Sequence, residues 1–228
     1  MVKPAADSRD LLVRGGAQLG LAMDVAGVGV ERLLVYLAEL MKWSRRVNLI
    51  ARDTPETQVV ETHFLDSLTL LPFLDGAGEV HLLDVGSGAG FPGLALACVR
   101  PDARFTLCEP RQKRVSFLRH VVRTLGLANV EVVADRVEAH LADWPGRFTH
   151  ITSRAVAEPA AFLPLVRPLV TPATRVLLML ARAEGLAGID RLVSGPWRVD
   201  AERRFVLPFS GAPRLVAAVV PDGHFSLE

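Results

Sequence analysis

The run Leu82-Leu83-Asp84-Val85-Gly86-Ser87-Gly88-Ala89-Gly90-Phe91-Pro92-Gly93 constrains the fold of this chain more than any other stretch. A short apolar strand passes directly into three alternating glycines, then into a proline suited to the first turn of a helix. Glycines let the backbone turn tightly and approach a ligand closely. In an open parallel sheet, ligands bind beyond the carboxyl ends of the strands, which is where this turn falls. The dinucleotide fingerprint requires a third glycine three residues after the second, and Phe91 holds that position. A phosphate-binding loop requires Gly-Lys-Ser/Thr, which does not follow.

The rest of the chain supplies the sheet. Apolar runs at Val80–Val85, Phe105–Cys108, Val130–Val133, His150–Ser153 and Arg175–Leu180 alternate with helical candidates. These candidates are Pro92–Val99, Arg111–Leu125, Val137–Leu141, Pro159–Val166 and Ala183–Val193. Such alternation predicts βαβ units and a parallel sheet. Arg204–Leu207 and Leu215–Val220 complete seven strands, the last two without a helix between them, which predicts an antiparallel hairpin at the sheet's end. Before this region, Val30, Leu33, Leu34, Leu37, Leu40 and Met41 recur at helical spacing, and Asp53-Thr54-Pro55-Glu56 reads as a capped helix start. The glycine-containing stretch Asp75 to Glu79 breaks the pattern. The expectation is therefore a helical cap over residues 1–75 and a doubly wound α/β domain over 76–228.

Half of the 228 residues are apolar and 22% are charged, which suits a folded chain with a sizeable core. The 26 basic and 25 acidic residues nearly cancel, so net charge neither favours nor excludes a polyanionic partner. Met1 to Asp10 carries no apolar core of a signal peptide, and no run approaches the ~20 residues of a membrane span, so a soluble, cytoplasmic protein is expected. Cys98 and Cys108 form neither a disulfide framework nor a metal-ligand pattern, and His81, His120, His140, His150 and His224 are scattered, so no metal site is expected.

An acid preceding a G-x-G-x-G turn resembles the first motif of the class I methyltransferases. Glu109 follows the second candidate strand, 23 residues after Gly86, where a carboxylate can accept hydrogen bonds from both ribose hydroxyls of an adenosine. Asp135-Arg136-Val137-Glu138 follows the third strand, where an adenine ring would lie. Beyond the superfamily, Asp84 to Gly93, His63-Phe64-Leu65-Asp66-Ser67-Leu68, Lys113-Arg114 with Phe117-Leu118, and Ser153-Arg154-Ala155-Val156-Ala157 stand in a familiar order. Together they resemble the RsmG (GidB) family of bacterial ribosomal RNA methyltransferases, from about Leu34 to Leu180. The resemblance implies a class I Rossmann-like methyltransferase fold with a seven-stranded, mostly parallel sheet and an N-terminal helical extension. It implies S-adenosylmethionine as methyl donor. It implies guanine N7 in the 530 loop of 16S ribosomal RNA, within the small ribosomal subunit, as methyl acceptor; a monomer is expected. The chain departs from the family pattern in two places. Ala181-Arg182-Ala183-Glu184-Gly185 stands where a lysine followed by glycine is usual, and no basic tail follows Leu215–Val220.

Carried over by motif, cofactor contacts fall on Gly86, Phe91, Glu109, Val137, Glu138 and Arg154. Asp84, Ser87, Gly88, Gly90, Pro110 and Arg111 are cofactor-site candidates from the same segments. Arg154, at the carboxyl end of the fourth strand, is the catalytic candidate, facing the methionine carboxylate or the target nucleotide. Guanine N7 already presents a lone pair on the major-groove edge and has no proton to lose, so no strong general base is required. Consistent with this, Ser153-Arg154-Ala155-Val156 stands where amine methylation would use an Asn/Asp-Pro-Pro-aromatic motif. The cysteines stand on the first helix and second strand of the α/β domain, and read as small buried residues. Arg45, Arg46 and Arg52, beside Trp43 and Asn48, and Lys113 and Arg114 on a basic helix with Arg111, Arg119 and Arg123, are RNA-contact candidates. Each set reads equally well as a solvated helix face. His63 and Asp66 share a helix face. His63 reads as a structural polar contact rather than a base, and Asp66 as a link between the helical cap and the α/β domain. Other readings stay open on these residues alone: a methyltransferase for a small molecule or a protein, or a non-catalytic nucleoside-binding assembly module.

Overall fold

The computed structural model describes residues 6–21, 27–74, 76, 78–154, 157–192 and 195–222. Ala155 and Val156 of the downstream motif, Val193 of the last helical candidate, Asp75 in the glycine-containing break and His224 lie outside the described residues.

Five parallel strands build most of the sheet: β1 (His81–Val85), β2 (Arg104–Cys108), β3 (Val130–Val133), β4 (His150–Ser153) and β5 (Arg175–Leu180). β6 (Trp197–Val206) and β7 (Pro213–Pro221) form the expected hairpin, and β7 runs antiparallel to both β5 and β6. The spatial order is β3-β2-β1-β4-β5-β7-β6. Chain progression moves one way from β1 through β2 to β3, then restarts on the other side of β1 at β4. The gap between the carboxyl ends of β1 and β4 is therefore the topological switch point, the usual ligand crevice of such sheets.

Alternation along the strands divides the core into two layers. Leu82, Phe105, Leu107, Leu177, Val216 and Ala218 face one side, and Leu83, Cys108, Ile151, Val176, Ala217 and Val219 the other. The first side is covered by α1 (Ala6–Gln18), α2 (Val28–Ser44), α5 (Gly93–Val99) and α6 (Gln112–Leu125). The second is covered by α7 (Pro159–Val166) together with Trp144 and Phe148. Burial on both faces explains the unbroken apolar texture of β1, all five residues of which are buried. α2 turns Val30, Leu33, Leu34, Tyr36, Leu37 and Leu40 inward at the predicted spacing. α6 stops at Gly126, whose φ of +60° suits the left-handed cap that closes many helices.

The helix predicted from Asp53-Thr54-Pro55-Glu56 begins with α3 (Glu56–Val59) and continues as a π-helix over Val60–Leu65 before α4 (Asp66–Leu68). No side chain caps its start: Pro55 is the N-cap, and Thr54 donates backwards to the Ala51 carbonyl. The candidate helix Ala183–Val193 is instead two 3₁₀ turns, Ala183–Leu186 and Ile189–Arg191, separated by Gly188 at φ +78°. Val137–His140 is likewise a single 3₁₀ turn.

Candidate active site

A polar cavity of about 530 Å³ opens at the switch point. Gly86, Ser87, Gly88, Ala89 and Phe91 line it from the turn after β1; Glu109, Pro110, Arg111 and Arg114 from the end of β2 onward; and Arg154 from the end of β4. Leu49, Ile50, His63 and Arg136 complete the wall.

Three interactions hold the turn. Asp84 lies beneath it, fully buried, and its Oδ2 accepts the Gly93 N–H at 2.9 Å. Its Oδ1 is a buried oxygen with no hydrogen-bond partner among the described residues. Burial pushes this carboxyl up to about 7, against the opposing pull of the Gly93 N–H and the Arg154 charge. Next, the Tyr36 hydroxyl on α2 donates to the Ala89 carbonyl, tying the helical extension to the turn. Gly90, at φ +100°, leaves no room for a side chain: a Cβ there would lie 2.5 Å from the Tyr36 hydroxyl oxygen and 2.9 Å from Leu94 Cβ. The third is Glu109, which is 2% exposed. Its Oε2 accepts the Gly88 N–H at 2.8 Å and its Oε1 the Arg111 N–H at 2.9 Å. A carboxylate offers about four lone-pair directions, so each oxygen keeps capacity for one further donor. A buried acid with two spare acceptor sites beside a glycine-rich turn suits the vicinal diol of a ribose, and Arg154 at the same cavity suits a carboxylate. The donor set thus fits an adenosyl amino acid such as S-adenosylmethionine.

The far wall is aromatic and cationic. Phe91 stacks with Tyr36 (5.3 Å) and with His63 (5.2 Å), with Phe64 edge-on at 5.0 Å. The Arg154 guanidinium sits 5.0 Å over the same ring. Arg154 also donates to the Thr62 carbonyl at 3.1 Å and to His63 Nδ1 at 2.7 Å, and lies 4.0 Å from Asp66. Burial and the Arg154 charge together lower His63 to about 4, so its ring is neutral near pH 7. Asp66 accepts Arg214 of β7 at 2.9 Å, and Glu61 accepts the Phe209 and Ser210 N–H groups. The π-helix thereby joins the cavity wall to the β6–β7 hairpin, the kind of irregularity often found at functional sites.

Nine predicted residues line the cavity together: Gly86, Ser87, Gly88, Phe91, Glu109, Pro110, Arg111, Arg114 and Arg154. Asp84 and Gly90 stand beneath, shaping the turn. Val137 packs into the second core layer and Glu138 is exposed, both adjoining Arg136 rather than forming the wall. Lys113 is exposed on α6. Arg45 and Arg52 line a neighbouring cleft of about 440 Å³ that shares Ile50 with the main cavity, and Arg46 is exposed beside them. Trp43, read from sequence as an aromatic accompanying this basic cluster, instead packs against Phe117 at 5.6 Å and His120 at 5.1 Å, joining α2 to α6. Sequence reasoning missed His63, Leu49, Ile50, Ala89 and Arg136 as wall residues. For His63 the signal was its helical face shared with Asp66, but its partners Phe91 and Arg154 are remote in sequence. The two thiols are buried and free, and burial pushes both up to about 12, unsuited to nucleophilic work. Among the described residues, no helix is long and apolar enough to cross a membrane.

Comparison with known proteins agrees with this geometry. A mutant of MtNAS in complex with S-adenosylmethionine superposes with a TM-score of 0.55 at 18% identity, over 94% of this chain and 88% of that one. Precorrin-6y C5,15-methyltransferase from Geobacter metallireducens superposes with a TM-score of 0.51 at 14% identity, over 75% and 92%. At such identities these likenesses establish the class I Rossmann-like fold. In sequence, the ribosomal RNA small subunit methyltransferase G of Desulfotalea psychrophila is 46% identical over 217 residues, 91% of this chain and 96% of that protein. The GidB family, rRNA small subunit methyltransferase G, matches residues 30–185, and the chain belongs to that family.

Proposed function

We propose that this chain is an S-adenosylmethionine-dependent methyltransferase that modifies guanine N7 in the 530 loop of 16S ribosomal RNA. The buried Glu109 carboxylate carries the reading: it braces the glycine turn with both oxygens and still offers acceptors to a ribose diol. S-adenosylmethionine, when bound, supplies a methyl group on a sulfonium centre that a nucleophile displaces in line.

The protein's part is alignment, exclusion of water and charge placement. Gly86, Ser87 and Gly88 bring backbone against the ligand, and Phe91 closes the wall. Arg154 keeps spare guanidinium hydrogens beyond those given to Thr62 and His63, and these would hold the methionine carboxylate. Val137 and Glu138, next to the cavity residue Arg136, would flank the adenine end of the cofactor. Guanine N7 loses no proton, which fits a wall whose histidine is neutral with Nδ1 already engaged. Arg45, Arg46 and Arg52, with Lys113 and Arg114, position ribosomal phosphates near the cavity mouth. The division at residue 75 belongs to the same reading: the segments before it brace the turn through Tyr36 and add Leu49, Ile50 and His63 to the wall, and residues 76–228 carry the cofactor-binding motifs. The chain acts as a cytoplasmic monomer on the small ribosomal subunit.

The test is transfer of labelled methyl from S-adenosylmethionine to small subunits from a strain lacking this gene, with RNA and protein fractions counted separately. Label in the RNA is expected. Label in a ribosomal protein, or none with either fraction, would overturn the proposal.

A further inference from the structure

His63 occupies a position that sequence reasoning treated as structural, yet it forms part of the cavity wall beside Phe91 and Arg154. A guanidinium nitrogen can only donate, so His63 Nδ1 is the acceptor in the 2.7 Å contact with Arg154. A neutral imidazole accepting at Nδ1 carries its proton on Nε2. Arg154 therefore fixes the tautomer. Stacking on Phe91 at an interplanar angle of 22° fixes the ring plane. Nε2 has no hydrogen-bond partner among the described residues and is not among the buried orphan polar atoms, so its N–H is not sealed in the core, and His63 is one of the residues that line the cavity. The result is a neutral, oriented, single donor on the wall of a methyl-transfer site.

The purine edge that reacts has a matching need. Guanine presents N7 and O6 as adjacent acceptors, whereas adenine presents N7 beside an N6 amino donor. N7 must keep its lone pair free for attack, so a base reader at this edge should address the six-position only. Resting on the guanine-N7 reading above, we propose that His63 is a specificity-determining residue whose Nε2–H donates to O6 of the target guanine. Adenine in the same pose would set its amino group against this donor, leaving both unpaired, and so be rejected. Burial and Arg154 keep the ring uncharged, so the donor stays the same across the neutral pH range.

Two substitutions separate this role from a scaffolding one. His63→Asn keeps a δ-position acceptor for Arg154 and lacks the remote donor. His63→Gln places an amide N–H near the Nε2 position. The assay is the single-turnover rate of N7 methylation of small subunits reconstituted with guanine, or with 2-aminopurine, at the target position. 2-Aminopurine keeps N7 and the two-amino group but lacks O6. On guanine, His63→Asn should lose about tenfold, the scale of one lost hydrogen bond, and His63→Gln should recover most of that loss. On 2-aminopurine, wild type and His63→Asn should agree within about twofold, as a substrate-protein cycle requires. An equal loss on both bases would mean that His63 acts only through Arg154 and Phe91, and would overturn the assignment alone. Absence of N7-methylguanine with the wild-type protein would overturn the underlying reading and the assignment with it.

Discussion

Replacing Gly90 with alanine tests whether the glycine turn is specified by close packing or merely by turn geometry. Two costs apply. Gly90 has a φ of +100°, which a residue with a Cβ adopts only with strain of about 1–3 kcal/mol. The added Cβ would also stand 2.5 Å from the Tyr36 hydroxyl oxygen, 2.9 Å from Leu94 Cβ and 3.0 Å from Leu94 Cδ2. Tyr36 cannot swing aside, because Phe64, Phe91 and Phe117 surround its ring at 5.0, 5.3 and 6.2 Å. Overpacking of this kind costs a further ~1–3 kcal/mol. The sum, about 4 kcal/mol, is a large share of the ~5–15 kcal/mol that stabilises a typical protein. For a chain of this size it lowers the melting temperature by roughly 8–16 °C. The control is Gly126→Ala, at φ +60° with none of the described residues within 4 Å of its Cβ, where strain acts alone and about 1 kcal/mol is expected. Urea unfolding monitored by circular dichroism gives both values. In a Tyr36→Phe background the collision with the hydroxyl disappears, so Gly90→Ala should cost about 1 kcal/mol less there. Equal costs at Gly90 and Gly126 would refute the claim that packing by Tyr36 and Leu94 demands glycine in the turn.

Three other outcomes are expected. Asp84 is raised by burial from 3.8 to about 7, so between about pH 4 and 7 the unfolded chain holds fewer protons than the folded one, and stability falls as pH rises through that window. Relative to Asp84→Asn, the wild type should lose up to about 4 kcal/mol between pH 4 and 8 in paired urea titrations, and a pH-independent difference would contradict this. Glu109→Gln can accept only one of the two N–H groups that the carboxylate now holds, so calorimetric titration should show S-adenosylmethionine bound at least ~10-fold more weakly, and unchanged affinity would remove Glu109 from the site. Arg45→Ala with Arg52→Ala should weaken small-subunit binding and make the slope of log affinity against log salt shallower by about 1–2, whereas an unchanged slope would place their cleft away from phosphate.

What was legible from sequence depended on how local its cause is. Asp84 to Gly93 announces itself, because a buried central strand and a turn of alternating glycines are both short-range signals. The first five strands and the closing hairpin were legible for the same reason. β6 was legible only at its end: over Trp197–Val206 only Trp197 and Phe205 are buried, and the exposed charged residues between them read as loop. Its strand character comes from pairing with β7, including a register shift between Val199 and Ala201. The candidate helix at Ala183–Val193 failed because Gly188 takes a left-handed conformation between two single turns. His63 reads from sequence as a structural polar contact, and its place on the cavity wall is not legible there, because its partners Phe91 and Arg154 are remote in sequence. Trp43 shows the converse: a basic neighbourhood suggested an RNA-facing ring, and helix packing took it.

The most direct measurement is identification of the nucleoside that this protein modifies. Small subunits lacking the modification would be incubated with the protein and labelled S-adenosylmethionine, the 16S RNA digested, and the labelled nucleoside resolved by mass spectrometry and mapped by fragment. N7-methylguanosine confined to the 530 loop is expected, with its loss in a Gly86→Asp variant that closes the turn against cofactor. A methyl group on any other atom or base, or one that persists in the Gly86→Asp variant, would contradict it.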